Sequence, residues 1–291
     1  MVKNIISILI VAVITGSCNQ VDFKGLIMPT GDGVEKRFEQ SRQMNPDLHA
    51  GAVEVDRTYL LYVCADPHIN RTSVNLNYFN DALRNDGKAS FGIILGDCTE
   101  VRHNFQAYMN ALAYDPDKHL YDYDLYHLAG NHDLYFNGWE EYKEIVGPSV
   151  YWFEAVFPGG KDLYIGLDTA SGTLGRKQAG WLRSLISEYR HEYRHAIILT
   201  HTNFFYTDNS QSGSGNMPVE EVYSLIDFFG KHDISLVLQG HDHYREDLTY
   251  DDVRYLVLGT IRDESEYPEY LKIEVSSDGI SLDWQSLPDN L

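Results

Sequence analysis

The segment Leu128–Asp133, with the sequence LAGNHD, is the stretch around which this chain is organised. It follows an apolar run at 125–129 and places an amide, an imidazole and a carboxylate at consecutive positions. A strand that ends in a glycine turn presents such groups to a crevice at the carboxyl edge of a sheet. A turn rich in Gly, Asn and Asp is also common without any function, so this segment alone leaves both interpretations open.

Strands and helices alternate from Tyr59 onward. Apolar runs of strand length are Tyr59–Cys64, Phe91–Leu95, Leu125–Ala129, Tyr151–Phe157, Leu163–Leu167, Ala196–Leu199, Ile234–Leu238 and Tyr255–Leu258. Helical patterns cover Val34–Met44, Val74–Leu83, Phe105–Leu112, Trp139–Val146, Lys177–Tyr189 and Val219–Phe229, and a closing hairpin joins Tyr270–Val275 to Ile280–Trp284. This order predicts an α/β sandwich with a mixed sheet.

Five of these strands are followed within a few residues by side chains of the types that bind metal ions. The chain places them as Asp66 and His68, Asp97, Asn131, His201, and His241 and His243. Residues two apart in an extended chain face the same side, so Asp66 and His68 can hold one ion together, and His241 and His243 have the same i, i+2 spacing. Gly96 allows a sharp turn before Asp97 and leaves room for a ligand.

Seven mixed nitrogen and oxygen ligands are too many for one tetrahedral site. They suit two ions that share a carboxylate and keep open positions for water and substrate. Two ions about 3.5–4 Å apart can clamp the attacking and the leaving oxygens of an in-line displacement at phosphorus. The ligand mix accepts Mn, Fe, Zn or a mixed pair, and does not select among them.

In these motifs and in their order, the chain resembles the calcineurin-like metallophosphoesterase family, as a bacterial, exported member. The motifs are Asp66-x-His68, Gly96-Asp97, Gly130-Asn131-His132-Asp133, His201 and Gly240-His241-x-His243. The resemblance implies a four-layer α/β/β/α sandwich with mixed sheets and a dinuclear metal centre. One metal would take Asp66, His68, Asp97 and His243, and the other Asp97, Asn131, His201 and His241.

The resemblance also implies a reaction. A water between two cations loses its proton readily, because the cations stabilise hydroxide, which attacks phosphorus opposite the leaving group. His132 is the candidate general acid, a role worth roughly 10²–10⁴-fold. Asp133 is expected to orient the His132 ring, with a helix or turn cap as the alternative. The substrate is a small phosphomonoester or phosphodiester; alternatives are a phosphoprotein and a non-catalytic metal-site scaffold.

At some positions the chain departs from the pattern of particular subgroups of the family. Glu100 stands where purple acid phosphatases carry an iron-binding tyrosine, which argues against an Fe(III)–tyrosinate site. Arg102 is one position out of register with the phosphate-binding arginine of protein phosphatases. His103 could border the substrate, and the segment Phe204–Met217, rich in Gly, Ser and Asn, could form either a linker or a substrate-facing rim.

The amino-acid composition restricts the kinds of substrate and partner that the chain is expected to bind. The chain has 43% hydrophobic residues, which argues against disorder, and carries 43 acidic against 23 basic residues, for a net charge of −20. Nucleic-acid binding normally depends on Lys and Arg, so a DNA or RNA polymer is excluded as the expected substrate. Cys64 and Cys98 are expected to be buried free thiols, although a disulfide between them is an alternative in an exported protein.

Residues 1–18 are interpreted as an export leader. Lys3 precedes an apolar run at 5–14 that is too short to span a bilayer as a mature helix. Thr15–Cys18 resembles a bacterial lipobox, in which lipidated Cys18 would attach the protein to a membrane in the periplasm or cell envelope; plain secretion is the alternative. An N-terminal arm at 19–57 and a metallophosphoesterase domain at 58–291 then follow.

Overall fold

The computed structural model of the chain describes residues 33–100, 104–112, 123–205 and 217–287. In chain order its strands are β1 His49–Glu54, β2 Tyr59–Cys64, β3 Ala89–Ile94, β4 Asp124–His127, β5 Tyr151–Phe157, β6 Gly160–Gly166, β7 Ala196–Leu199, β8 Leu236–Gln239, β9 Glu246–Tyr250, β10 Val253–Val257, β11 Glu269–Ser276 and β12 Gly279–Ser286. The helices are α1 Val34–Met44, α2 Val74–Asn85, α3 Phe105–Ala111, α4 Asn131–Leu134, α5 Trp139–Ile145, α6 Gly175–Tyr189 and α7 Val219–Lys231, with 3₁₀ turns at Tyr135–Asn137 and Arg190–Glu192.

The strands form two mixed sheets. Sheet A has the order β1-β5-β6-β7-β8-β10-β9, and sheet B has the order β12-β11-β2-β3-β4. Within them, β6-β7-β8-β10 and β2-β3-β4 run parallel, so the carboxyl ends of each run meet at one edge. The closing hairpin pairs β11 with β12 in antiparallel register, as predicted.

Three apolar clusters separate the layers. One lies between the sheets and includes Leu61, Phe91 and Phe153, while a second packs α2, α3 and α5 on the outer face of sheet B. The third packs α6 and α7 on the outer face of sheet A, and includes Leu182 and Ile186, which the helical spacing marks as core. These layers confirm the predicted α/β/β/α sandwich with mixed sheets.

The segment predicted as an arm contributes structure to sheet A from residue 33 onward. Its helix α1 has the predicted bounds, and its strand β1 pairs in parallel with β5 at the edge of the sheet. Phe38, Leu48 and Val150 form a small apolar cluster that holds the helix in place.

Two further sequence expectations concern thiols and membranes. Cys64 and Cys98 are both free and buried, which confirms the favoured interpretation over a disulfide. Among the described residues, none of the helices has the length and apolar character needed to cross a membrane. The predicted leader at 1–18 lies outside the described residues.

Candidate metal centre

Both sheets contribute residues to one site. Loops after β2, β3 and β4 of sheet B meet loops after β7 and β8 of sheet A. The backbone N–H of His241 donates to Asp66 Oδ2 at 2.9 Å, and the His201 ring lies with Nδ1 2.8 Å from the Leu95 carbonyl. The structure therefore brings all seven predicted ligand residues to the edge that the two sheets share.

The backbone of this site is unusual. Five of the seven residues have a positive φ although none of them is glycine: Asp66, His68, Asp97, His241 and His243, with φ between 46° and 77°. Such left-handed conformations carry strain in ordinary L residues and concentrate at functional sites. The sharp turns aim each side chain back toward the crevice instead of continuing the strand.

The first ligand cluster joins Asp66, His68, Asp97 and His243, which have ligand atoms within 4.8 Å of one another. His68 Nε2 lies 3.0 Å from His243 Nε2 and 3.5 Å from Asp97 Oδ2. His243 Nε2 lies 3.8 Å from Asp66 Oδ1. The nitrogen–carboxylate distances are too long for hydrogen bonds, so these side chains lie together without bonding to one another.

The second cluster joins Asp97, His201 and His241, with Asn131 beside them. His201 Nε2 lies 3.0 Å from Asn131 Oδ1, 3.2 Å from His241 Nδ1 and 3.5 Å from Asp97 Oδ1. Asp97 thus belongs to both clusters, with Oδ2 facing the first and Oδ1 facing the second. Its Oδ1 also accepts the backbone N–H of His132 at 2.8 Å.

Burial controls the charge of these side chains. It lowers the pKa of His201, His241 and His243 to about 4 and that of His68 well below its usual value, so the four imidazoles are neutral at pH 7. Burial and the nearby charge of Asp97 raise the pKa of Asp66. A divalent cation binds neutral imidazole nitrogens. It also stabilises the charge of a buried carboxylate that has few positive partners.

Three observations show that the residues fit two metal ions. Nitrogen ligands about 2.0–2.1 Å from one ion lie roughly 2.9–3.4 Å apart at octahedral or tetrahedral angles, which matches the His68–His243 separation of 3.0 Å. Asp66 Oδ1 is buried and accepts no hydrogen bond among the described residues. A ring hydrogen on His201 Nδ1 would be bound by the Leu95 carbonyl, which leaves Nε2 as the ligand atom.

Two glycines make the approach of these segments possible. Gly96 has φ of +90°, and a Cβ there would lie 2.7 Å from His201 Nδ1. A Cβ on Gly130 would overlap Asp97 itself, both at the backbone nitrogen and at Oδ1. Any side chain at either position would push apart the strand ends that carry the ligands.

His132 lies beside the first cluster together with Glu100. The two carboxylate oxygens of Glu100 face His68 Nδ1 at 3.5 Å and His132 Nδ1 at 3.6 Å. Burial alone would lower the pKa of His132, but the charges of Asp97 and Glu100 outweigh it and raise this pKa to about 9. The ring is 26% exposed, so solvent reaches it. The imidazole thus lies at the mouth of the site beside a carboxylate that favours its protonated form.

The structure corrects the role expected for Asp133. Its oxygens accept the backbone N–H groups of Gly130, Cys98 and Thr99 at 2.9, 3.2 and 3.0 Å. The carboxylate therefore caps the start of α4 and ties it to the loop after β3, which is the alternative interpretation. Glu100, and not Asp133, contacts the His132 ring.

Sequence reasoning missed the part played by Glu100. The sequence interpretation treats it only as a replacement for an iron-binding tyrosine, although it lies three residues after Asp97 in the loop that follows β3. Arg262 was missed because it follows β10, which carries no predicted ligand. Arg102, His103 and most of the segment Phe204–Met217 lie outside the described residues.

Comparisons with solved structures show the fold. GAP50, described as the anchor in the inner membrane complex of Plasmodium, has a TM-score of 0.58 and 13% identity over 79% of this chain and 85% of that one. A dimetal phosphatase from Danio rerio has a TM-score of 0.56 and 11% identity over 79% and 97%. A purple acid phosphatase from yellow lupin, Lupinus luteus, has a TM-score of 0.59 and 12% identity over 79% and 52%. No protein-family model and no curated protein matches the chain.

Proposed function

We propose that this protein is a metal-dependent phosphoesterase that hydrolyses small phosphomonoesters or phosphodiesters. The observation that carries the proposal is the pair of ligand clusters joined by Asp97, which lie where seven neutral or anionic donors converge. Solved structures of similar fold include phosphatases, which supports phosphoester hydrolysis in general terms.

The residues divide between two ions as their contacts suggest. Asp66, His68, Asp97 and His243 would hold the first ion, and Asp97, Asn131, His201 and His241 would hold the second. Bound at these positions, two such ions supply Lewis acidity that lowers the pKa of water and neutralises charge on phosphoryl oxygens.

The protein's own contribution to bond cleavage is a proton at His132. Glu100 lies beside Nδ1 of this ring, which leaves Nε2 to face the leaving oxygen of the substrate. Glu100, which is assigned to neither ion, faces the ring and favours its protonated form by raising its pKa. A protonated imidazole beside a leaving oxygen acts as a general acid.

The proposal is tested by metal analysis and hydrolysis assays on the same samples. The full chain is loaded in turn with Mn, Zn, Fe and Ni and assayed with p-nitrophenyl phosphate and bis(p-nitrophenyl) phosphate. We expect about two ions per chain and turnover of at least one ester. Asp97→Asn should lose both ions and activity, whereas Asp247→Asn, which changes an exposed carboxylate paired with Arg254, should lose neither.

The rival function is a scaffold that binds metal ions without turnover. It is favoured by one observation, that GAP50 shares the fold and is described as an anchor. Two bound ions with no turnover of any ester by any metal form would establish the scaffold. A phosphoprotein substrate would instead show as turnover of phosphopeptides far above that of the small esters.

For location, we propose an exported lipoprotein with its leader at residues 1–18, an arm at 19–57 and the catalytic domain at 58–291. What supports this is the leader sequence that ends at Cys18. Metabolic labelling with a fatty-acid analogue should mark the protein in its bacterial host, and Cys18→Ala should abolish the label. An unlabelled protein in the medium would indicate plain secretion.

A further inference from the structure

The mouth of the candidate metal centre carries an arginine that no motif contains. The ligand residues Asp66, His68 and Asp97 have side chains no more than 2% exposed. Among the described charged and imidazole side chains there, His132, His243, Glu100 and Arg262 are partly exposed, at 26%, 22%, 19% and 38%. Arg262 is the most exposed of these four, so its guanidinium is accessible to a substrate that enters the site.

The loop after β10 holds this arginine in place. The hydroxyl of Thr260 donates to the Asp66 carbonyl at 2.6 Å, and the Ile261 N–H donates to the Ala65 carbonyl at 3.0 Å. The amide of Asn75 donates to the Arg262 carbonyl at 3.1 Å. The backbone of Arg262 is thus fixed between the β2 loop, which carries two predicted ligands, and the start of α2.

The guanidinium of Arg262 makes only weak or exposed contacts with Glu100 and Glu264, so it can exchange them for a substrate oxygen. Its Nη1 lies 3.6 Å from Glu100 Oε1, outside hydrogen-bond distance, and its Nε donates at 3.0 Å to Glu264, which is 60% exposed. Nη2 has no acceptor in the part of the chain that the structure describes. Glu100 Oε1 also faces His68 Nδ1 at 3.5 Å, so one carboxylate separates Arg262 from a predicted metal ligand.

We propose that Arg262 binds a non-bridging phosphoryl oxygen of the substrate and makes the protein select phosphomonoesters over phosphodiesters. The inference rests on the proposed phosphoesterase function and narrows its substrate class. A monoester carries one more anionic oxygen than a diester, and that oxygen needs a cationic partner beyond two metal ions. A guanidinium offers it a charge-assisted and geometrically specific contact.

The acidic character of the chain increases the importance of a positive group at the site. With a net charge of −20, the surface gives a dianionic substrate little general attraction, so a positive group at the mouth has a local effect. Of the residues that the structure describes, Glu100 and Glu264 are the acidic partners of Arg262, and of these two Glu264 is the one within hydrogen-bond distance. Exchange of Glu100 for a phosphoryl oxygen therefore breaks no hydrogen bond.

The test compares Arg262→Met and Arg262→Lys with Arg254→Met in the manganese-loaded full chain. Arg254 is a matched control, because it lies in β10 close to the same loop, is 36% exposed and pairs with Asp247. We expect Arg262→Met to lower kcat/KM for p-nitrophenyl phosphate by roughly 10- to 100-fold and to lower the monoester-to-diester ratio by at least about 10-fold. Arg262→Lys should recover part of this loss, and Arg254→Met should match the wild type.

A second measurement does not depend on turnover. Inorganic phosphate is titrated calorimetrically into each manganese-loaded protein, and we expect Arg262→Met to weaken its binding by roughly 10- to 100-fold at unchanged metal content. Equal losses with both esters, or phosphate affinity that ignores Arg262, would overturn the inference. If the wild type bound ions but cleaved neither ester, the proposed function would fail, and the phosphate titration would still decide the role of Arg262.

Discussion

At the scale of single residues, the charge of Asp97 links the parts of the candidate site. Its two oxygens face different ligand clusters, and its charge raises the pKa of both Asp66 and His132. One buried carboxylate therefore organises two ion positions and a proton donor together. Two substitutions near Asp97 test this arrangement.

His132→Asn should separate proton donation from ligand binding. The ring belongs to a third group of possible ligands with His68 and Glu100, and to neither of the two clusters that share Asp97, so we expect the two ions assigned to those clusters to survive the change. The rate should fall by roughly 10²–10⁴-fold, and most for esters with poor leaving groups, because these need the proton most. Metal analysis and rates across a series of leaving groups check this. Loss of both ions would instead make His132 a ligand.

Gly130→Ala should disable the site through its backbone. The added methyl group would overlap Asp97, so the loops after β3 and β4 must move apart. We expect ion binding to weaken and activity to fall by at least about 100-fold, since small misplacements near reacting groups cost this much. Gly180→Ala is the control, because a Cβ there meets nothing within 4 Å. Its helical position predicts a stability gain of about 0.5–1 kcal/mol. Normal metal content in Gly130→Ala would contradict this account.

At the scale of elements, helix α1 reaches the metal centre through a buried ion pair. Arg37 donates to both oxygens of Asp168 at 2.7 and 2.8 Å, and both side chains are fully buried. The next residue, Thr169, accepts the backbone N–H groups of His201 and Thr202 at its hydroxyl. A helix from the predicted arm thus braces the loop that presents a metal ligand.

Arg37→Met should weaken this brace. Removal of one partner leaves a buried charge unpaired, which costs about 3–5 kcal/mol. We expect a lower Tm and a weaker second ion, the one assigned to His201, measured by thermal unfolding and metal titration. Arg42→Met on the same helix is the control, since its contact with Pro46 is exposed. Equal behaviour of the two variants would show that the arm does not support the site.

At the scale of the whole molecule, the ions should join the two sheets. The first cluster takes Asp66 and His68 from sheet B loops and His243 from a sheet A loop, so an ion there ties both halves of the sandwich together. Ligands that bind only the folded state stabilise it by mass action, by about 2.7 kcal/mol at 100 times Kd.

Metal removal should therefore lower the thermal stability of the full chain. We expect chelator-treated protein to melt at least roughly 5 °C below protein with Mn²⁺ restored, as a chain of this size shifts by about 2–4 °C per kcal/mol. Calorimetry with and without metal measures the shift, and Asp97→Asn should show almost none. Identical Tm values for both wild-type forms would argue against ions that bridge the sheets.

Across the whole molecule, sequence patterns predicted some strands and helices and missed others. Predicted strands and helices agree with the structure wherever an apolar period was present, as in β5, whose predicted bounds were exact to the residue. The edge strands β1 and β9, which bury one and no side chain, were not predicted. Edge strands owe their form to a partner strand and carry little periodic signal of their own.

The sequence by itself determined an α/β sandwich with a mixed sheet and the seven positions that could hold metal ions, and its resemblance to a known family implied the four α/β/β/α layers. The sandwich and the seven positions follow from local rules: buried strands need apolar runs, and a polar residue after such a run stands at the sheet edge. Only the tertiary structure decided that Asp133 caps a helix, that Glu100 contacts His132, and that Arg37 and Arg262 reach the site. These facts depend on contacts between segments far apart in the chain, and a side chain's charge partner is set by packing that no local pattern encodes.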